Sequence, residues 1–425
     1  MCMILRFDKI CSWIFITSLL LLIPSVQWLK FIDELLSYLL LSIAIVDIVL
    51  KGHVQRHRHL LITVAIMTFY AVYSIFFLSY NTPRYILTDF IIQLKPFLAF
   101  WVFMGFQPNL TEKEKQIVKW ICCFNAAFCT LLLIFGPVAT EAVVQHVAVS
   151  GNIIIISVVV YTICVVSSDG KIAHTDMLTI VAMLLAGLLC TRAKYYGVAI
   201  LALFMLFFYR PGMLKGFQPK HIAMVLIALT LTLAVSWQKI AYYFLSGNSE
   251  SFDPTVVQSF ARPVLYATAG AIMVDHFPLG TGLASFASYA SSTNYSEVYY
   301  EYGINNVYGL SQNFPHFISD AYYPSLAQFG ILGAFLFVLF WRWGYKLLLH
   351  LVRGKNPEKY KYHFVAGSII ICWVFIESTG GTTFVQSTGL VMMMSLGLLC
   401  GKALRIKNNK SCQQQKKKIK ILYQT

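Results

Sequence analysis

Long apolar runs recur along almost the whole chain, and they constrain its fold more than any other feature. Each run approaches the roughly 17–25 residues that a helix needs to cross a bilayer. Backbone polar groups have no water partner inside a membrane, so such runs fold as helices that satisfy those groups internally. The composition agrees, since 58% of the residues are hydrophobic and only 12% are charged. We therefore expect an all-α polytopic membrane protein.

Counting these runs gives about twelve transmembrane helices, of which the seventh and eighth are short enough to form a hairpin that does not fully cross. The chain then divides into helices 1–9 over 1–236, a large loop over 237–322, helices 10–12 over 323–403 and a basic tail over 404–425. The expected spans are 10–28, 34–50, 60–79, 87–106, 117–137, 151–168, 177–190, 196–209, 221–236, 323–345, 363–377 and 387–403.

The basic residues predict how the chain is oriented. When successive loops are assigned alternately to two faces, 26 of the 33 lysines and arginines fall on one face and six on the other, while Lys95 lies within a span. By the positive-inside rule the richer face is cytoplasmic. We therefore expect both termini in the cytoplasm and the 237–322 loop on the opposite side. The basic tail is typical of a segment beside anionic lipid, and nothing else in the sequence supports nucleic-acid binding.

The 237–322 loop is polar and rich in aromatic residues, unlike the rest of the chain. A channel or carrier has little use for so much ordered polar chain at one face, whereas an enzyme acting on a lipid-linked substrate needs such a cap. The loop contains no cysteine, so we expect no disulfide framework in it. No nucleotide-binding or zinc-binding pattern occurs in the chain, and we expect neither a metal nor a cofactor.

Within the expected spans, the ionisable residues Asp47, Lys95 and Glu377 are candidates for function. Such groups usually face a cavity or a partner. Asp47 and Glu377 lie near span ends, where extension of the side chain to the membrane surface is an equally good interpretation. Lys95 lies deeper, and the adjacent Pro96 predicts a kink that can open a polar pocket.

Short motifs follow one another in a fixed order around the large loop. An arginine after a short apolar run precedes a second arginine that opens a helical pattern, then a Pro-x-Gly-x-Gly turn, a histidine and a Gly-x-x-Gly motif. Together they resemble the O-antigen polymerase and O-antigen ligase superfamily of bacterial membrane glycosyltransferases. The resemblance covers about residues 180–345 by motif and the whole chain by helix count. The matching residues are Arg192, Arg262, Pro278-Leu-Gly-Thr-Gly282, His316 and Gly330-Ile-Leu-Gly333.

The sequence departs from the ligase pattern at one position. That pattern places His-Asn eleven residues before the first glycine of Gly-x-x-Gly, where this chain has Ser319-Asp320. His316 lies three residues earlier, about one turn away if the segment is helical. This departure favours the polymerase branch, and it leaves the catalytic base open between His316 and Asp320.

The resemblance implies a donor glycan on undecaprenyl pyrophosphate and a sugar hydroxyl of a second glycan as acceptor. It gives Arg192 and Arg262 the role of binding the pyrophosphate, because arginine is permanently charged and bidentate toward phosphate. Pro278, Gly280 and Gly282 are expected to form a supporting turn. Tyrosines of the loop can stack on sugars or form its core, and the two interpretations stay open here. They are Tyr295, Tyr299, Tyr300, Tyr302 and Tyr322.

We therefore expect an inverting, metal-independent glycosyltransferase that polymerises lipid-linked repeat units into a surface polysaccharide. The implied location is the outer face of the bacterial cytoplasmic membrane, and the implied partners are membrane lipids and a chain-length regulator. Two alternatives remain at this stage. One is a ligase that passes the finished polymer to lipid A core, and the other is a polysaccharide flippase that carries out no chemistry. A flippase is expected to line its central cavity with basic residues inside the spans.

Overall fold

The computed structural model describes residues 6–211, 260–354 and 356–422 together with Thr230, with side chains of the last helix described to Asn408. Within these residues the fold is helical, with one isolated β-bridge and no β-strand, which confirms the all-α prediction for this part of the chain. The helices are α1 Phe7–Leu20, α2 Pro24–Gln27, α3 Ile32–Lys51, α4 Val54–Tyr73, α5 Pro83–Phe106, α6 Glu112–Phe135, α7 Pro137–Val144, α8 Val147–Val165, α9 His174–Ala186, α10 Ala193–Phe208, α11 Ala261–Asp275, α12 Tyr289–Thr293, α13 Val298–Glu301, α14 Tyr322–Ser325, α15 Gly330–Val352, α16 Lys361–Glu377 and α17 Ser387–Leu422.

Among the described residues, six helical segments are long and apolar enough to cross a membrane. Two shorter apolar helices, His174–Cys190 and Ala193–Phe208, occupy the place of the expected hairpin. The chain thus has the helices of a membrane protein, while the count of twelve spans stays a prediction. The expected span 221–236 lies, apart from Thr230, outside the described residues. The six segments are Val54–Leu78, Pro83–Phe106, Glu112–Phe135, Val147–Val165, Tyr322–Val352 and Ser387–Asn408.

Helix α5 lies at the centre of the bundle, packed against α17, α4 and α3. Its buried Lys95, next to Pro96 within the helix, pairs with the buried Asp33 of α3. Asp47 of α3 is likewise fully buried, and its carboxylate contacts the side chains of His57 at 3.0 Å and Arg56 at 3.1 Å. Both groups therefore face partners inside the protein, as ionisable residues in apolar helices usually do.

Contacts between distant segments fall into two groups. Lys9 of α1 pairs with Glu114 of α6 at 3.3 Å, and Lys402 of α17 contacts His363 of α16 at 2.7 Å, so residues at or beside the expected basic face meet one another. At the other ends of the helices, Asn81 donates to the carbonyl oxygen of Ala284 at 2.8 Å. Each contact links two segments that lie on the same face when successive loops are assigned alternately to the two faces. Which face is cytoplasmic stays a prediction based on charge.

The described part of the large loop, from residue 260 to the start of α14, has a hydrophobic core of its own, separate from that of the bundle. We call this part the insert. Helices α11, α12 and α13 lie in it, in agreement with a loop that carries short helices. Residues 237–259 of the expected loop are outside the described residues. The insert core consists of Val264, Leu265, Ala269, Ile272, Phe286, Ala287, Val298, Tyr299, Ile304, Val307, Leu310 and Ile318, together with Ala327 from the segment after α14.

The two glycine motifs pack against each other and seat the insert on α15. Gly280 and Gly330 have φ of +75° and +58°, a region that glycine enters without steric cost. A Cβ at Gly280 would lie 2.2 Å from the carbonyl oxygen of Ala327. The Leu332 amide donates to the Pro278 carbonyl at 3.1 Å, across the contact. This segment of the insert therefore packs directly on the start of α15, while its expected supporting role stays a prediction.

Candidate functional site

A polar cavity of ≈ 950 Å³ lies where α8, α10 and α16 meet the insert. Charged side chains from distant parts of the sequence line it together with hydroxyl groups and backbone of a glycine-containing loop. We call it the polar cavity. Its ionisable residues are His146, Arg192, Lys194, Tyr266, Arg262, Asp320, Tyr323 and Glu377.

Two sharp turns bring His146 and Arg192 into contact. Each follows a non-glycine residue of positive φ, Gln145 at +63° and Thr191 at +51°. Such conformations cost about 1–3 kcal/mol and are often found at functional sites. His146 then caps the N-terminus of α8, and Arg192 stands at the N-cap position of α10. As a result, Nη2 of Arg192 lies 2.9 Å from Nε2 of His146.

The charges around His146 keep its imidazole neutral near pH 7. Burial lowers the pKa of His146, and the positive charges of Arg192 and Lys194 lower it further. Two carboxylates, Glu141 of α7 and Asp320 of the insert, oppose this effect without cancelling it. The ring is therefore uncharged at neutral pH, since the ordinary pKa is already about 6.5.

The hydrogen bonds of His146 leave Arg192 poorly satisfied. The Ala148 amide donates to Nδ1 at 3.1 Å, while Arg192 points its own N–H toward Nε2. A neutral imidazole has one acceptor nitrogen, so it can satisfy only one of these two donors. The Nε atom of Arg192 is also buried with no hydrogen-bond partner. In the described part of the chain no carboxylate lies within ion-pair distance of Arg192, which is therefore suited to an incoming anion.

The second arginine of the motif lies across the same cavity. Arg262, at the second position of α11, pairs with the carboxylate of Asp320. Both side chains are partly accessible, at 30% and 34% of their surface. Gly380 makes room for the guanidinium, because a Cβ there would lie 3.2 Å from Cζ of Arg262. Because the Arg262–Asp320 pair is accessible from the cavity, an anion can compete for the arginine.

Glu377 is held by three donors at the inner wall of the polar cavity. Its Oε1 accepts from Asn152 at 3.1 Å, Lys194 at 3.0 Å and Thr383 at 2.9 Å. Trp373 in turn donates to Oδ1 of Asn152 at 2.9 Å, which fixes the amide. Glu377 is only 6% exposed, so it does not extend to the membrane surface. This carboxylate is part of the cavity wall.

A short loop rich in glycine and hydroxyl groups, residues 378–383, follows Glu377 and borders the cavity. Tyr266 of α11 donates to the Thr379 carbonyl at 3.0 Å, and Thr382 donates to the Ser319 carbonyl at 3.3 Å. Burial raises the pKa of Tyr266 to about 12, so it stays a donor. Sequence reasoning missed this loop. The available signal was Ser-Thr-Gly-Gly-Thr-Thr between two apolar runs.

The structure brings together three of the four side chains expected to carry the chemistry. Arg192, Arg262 and Asp320 all line the polar cavity. His316 does not line it; the side chain is exposed, with its ring centroid 5.6 Å from that of Phe314 and 5.1 Å from that of Phe317. The segment between His316 and Asp320 consists of turns, so the helical spacing considered for this pair is not present.

The tyrosines of the large loop mostly belong to its core. Tyr299 and Tyr322 are buried, while Tyr295 and Tyr302 pack against the insert core. Tyr300 is half exposed and donates to Gln312 at 2.7 Å. These contacts favour the structural interpretation over sugar stacking. The tyrosines that line the cavity are instead Tyr266 and Tyr323, which sequence reasoning did not single out.

Within the described residues, no group of three or more His, Cys, Asp or Glu side chains is arranged to hold a metal ion. A scan against models of protein families finds no match to this chain, and a search of curated proteins finds none either. The functional assignment therefore depends on the geometry of the polar cavity and on the order of the motifs.

Proposed function

We propose that this chain is a bacterial membrane glycosyltransferase that polymerises oligosaccharide units carried on undecaprenyl pyrophosphate, at the outer face of the cytoplasmic membrane. One observation carries the proposal. Arg192 lines a large polar cavity beside a neutral imidazole, which has one acceptor nitrogen for two N–H donors. No carboxylate in the described residues forms an ion pair with Arg192. Such an arginine provides a preorganised site for an anion that forms during a reaction.

The leaving group of the proposed reaction is that anion. When the acceptor hydroxyl attacks the anomeric carbon, the C–O bond to the donor breaks and its electron pair stays on the lipid pyrophosphate. Arg192 and Arg262 lie on separate elements of one cavity, so together they can contact the pyrophosphate oxygens. Preorganised donors of this kind stabilise the charge that develops in the transition state.

The placement of the basic residues supports an enzyme over a flippase. Arg192 precedes α10, and Arg262 lies in the first turn of α11 in the insert, so both are at helix ends that border the polar cavity. The lysine inside a span, Lys95, is paired with Asp33. A flippase that moves a pyrophosphate through the bundle would need several cations in the interior of the spans, where Lys95 is the one buried lysine or arginine among the described residues.

A second, apolar cavity is suited to the lipid part of the proposed substrate. It has a volume of ≈ 300 Å³, lies between α4, α5 and α15, and is lined almost wholly by apolar and aromatic side chains. Phe97, Trp101 and Phe340 form one wall of it. An isoprenoid segment fits such a lining because the gain comes from apolar area removed from water or lipid headgroups.

The proposal is tested by assembling polymer with the purified protein in lipid nanodiscs from the lipid-linked repeat units of the same organism. We expect a ladder of products from the wild-type protein and none from Arg192→Ala. Arg84→Ala is the matched control, since Arg84 is an exposed arginine outside the polar cavity and should give a normal ladder. Absence of any transfer by the wild-type protein would contradict the proposal.

A further inference from the structure

The carboxylate of Glu377 has one anchored oxygen and one open oxygen. Three donors converge on Oε1, namely Asn152, Lys194 and Thr383, at 2.9–3.1 Å. No donor in the described residues lies within hydrogen-bond distance of Oε2. This oxygen is nevertheless accessible and is not enclosed by protein atoms. Because Glu377 lines the polar cavity, Oε2 is the oxygen that is open to it.

The surroundings hold this geometry in place. Asn152 is buried within α8 and is fixed by Trp373 of α16, so its amide cannot turn away from Oε1. Gly381 leaves the space that Oε1 occupies, since a Cβ there would lie 2.6 Å from it. An anchored carboxylate with a free lone pair needs no reorganisation before it accepts a proton.

The other acceptors of the cavity are less suited to take a proton. Asp320 is ion-paired with Arg262, the arginine assigned to the pyrophosphate, so it lies on the leaving-group side of the reaction. His146 faces Arg192 and accepts from the Ala148 amide, so its nitrogens lie toward the cations of the site. Glu377 is also ion-paired, with Lys194, but only through Oε1, so its Oε2 stays open to the cavity.

We propose that Glu377 is the general base of the glycosyl transfer, an inference that rests on the proposed function. Its Oε2 accepts the proton of the acceptor hydroxyl as the oxygen attacks the anomeric carbon. The new C–O bond forms as the bond to the pyrophosphate breaks, and the electron pair leaves with the pyrophosphate beside Arg192. Product release then returns the proton to water, which restores the carboxylate. The reaction thus inverts the anomeric configuration without a covalent intermediate.

The test compares Glu377→Gln with wild-type protein in the nanodisc assay. Glutamine keeps the size and an acceptor oxygen but cannot take the proton at neutral pH. We expect kcat to fall on the order of 10²–10⁴-fold, the usual contribution of a general base, with KM nearly unchanged. Glu297→Gln, an exposed acid of the insert outside the cavity, is the control and should retain wild-type kcat.

Chemical rescue separates a base from a structural carboxylate. In Glu377→Ala, added formate should enter the space left by the side chain and restore part of kcat, while it should do nothing for Arg192→Ala. Wild-type kcat in Glu377→Gln would overturn the inference, and so would a loss in Glu377→Ala that formate does not relieve. Either result leaves the proposed function standing, because that function is tested separately, by glycosidic-bond formation in the wild-type protein and its loss in Arg192→Ala.

Discussion

At the level of single residues, the proposed reaction requires the guanidinium of Arg192 and not only a positive charge at that position. The guanidinium of Arg192 is planar, offers several donors in a fixed fork and stays charged at every relevant pH. Lysine presents a compact point charge on a flexible stem. A pyrophosphate spans two phosphoryl groups, so a fork aligned with its oxygens stabilises it more than one ammonium group does.

This difference gives a prediction for Arg192→Lys. The variant should bind the donor but transfer it slowly, with a loss in rate on the order of 10²-fold or more, as for removal of one transition-state donor. Initial rates of polymer formation and protein levels in the membrane provide the measurement. Wild-type rates in Arg192→Lys would show that only charge is needed at this position.

The histidine beside Arg192 predicts a pH dependence of anion binding. Burial and the neighbouring cations lower the pKa of His146, so it is neutral at pH 7 and gains a charge only when the pH falls below its ordinary value of about 6.5. Protonated His146 adds a positive charge to the cavity. Binding of a dialkyl pyrophosphate, whose own charge does not change in this range, should therefore tighten as the pH falls from 7 to 5.

Calorimetric titration of the protein in nanodiscs measures this change. His146→Gln keeps a polar side chain beside Arg192 but cannot gain the charge, so its affinity should stay nearly constant over the same range. Equal pH dependence in the wild-type protein and in this variant would exclude His146 as the source.

At the scale of secondary-structure elements, helix ends and short loops build the site, and helix interiors only position them. Helical periodicity and apolar length predicted most of the helices, because both are local properties of the sequence. The motif order predicted that Arg192 and Arg262 would share a site with His316 or Asp320, and the structure places Asp320, but not His316, in the polar cavity with them. The cavity wall around Glu377 was beyond that reasoning, since it depends on how α8 and α16 pack, and no local pattern encodes that contact.

The loop after α16 gives a prediction at this scale. A Cβ at Gly381 would lie 2.6 Å from Oε1 of Glu377 and 3.1 Å from Nζ of Lys194, so Gly381→Ala should displace both groups. We expect polymer formation to fall at least 10-fold, since small misplacements of reacting groups have effects of that order or larger. Membrane protein levels should stay normal, because the displaced atoms are side-chain ends.

A matched substitution at another glycine tests whether the steric contact at Gly381 causes the loss of activity. Gly270 lies within α11, and a Cβ there has no heavy atom within 4 Å. Gly270→Ala should therefore keep full activity and favour the helix by about 0.5–1 kcal/mol. Equal activities in the two alanine variants would show that the Gly381 contact does not matter for the reaction.

At the scale of the whole molecule, the bundle has two sets of ends with different contents. One set holds Lys9, Glu114, His363 and Lys402 in direct contacts, and the other holds the insert and the polar cavity. Alternating the loops between two faces places these residues in the same two sets, because that assignment needs only the number of spans between them. It could not predict that the insert would have a separate core, which depends on long-range packing.

The sidedness of the molecule is testable with reporter fusions. The excess of basic residues on one face predicts that the insert is outside the cytoplasm and that the C-terminal tail is inside. Alkaline phosphatase fused after Asn306 should be active, and the same enzyme fused after Lys410 should be inactive. The reverse pattern would place the polar cavity on the cytoplasmic side and remove the basis for the proposed function.

The most direct measurement of the central claim counts products of a single reaction. Purified protein in nanodiscs would receive lipid-linked repeat units, and both new glycosidic bonds and released undecaprenyl pyrophosphate would be quantified over time. The account predicts one undecaprenyl pyrophosphate released for every glycosidic bond formed, and neither product from Arg192→Ala. Movement of intact lipid-linked units across the membrane with no pyrophosphate released, or bond formation unchanged in Arg192→Ala, would contradict it.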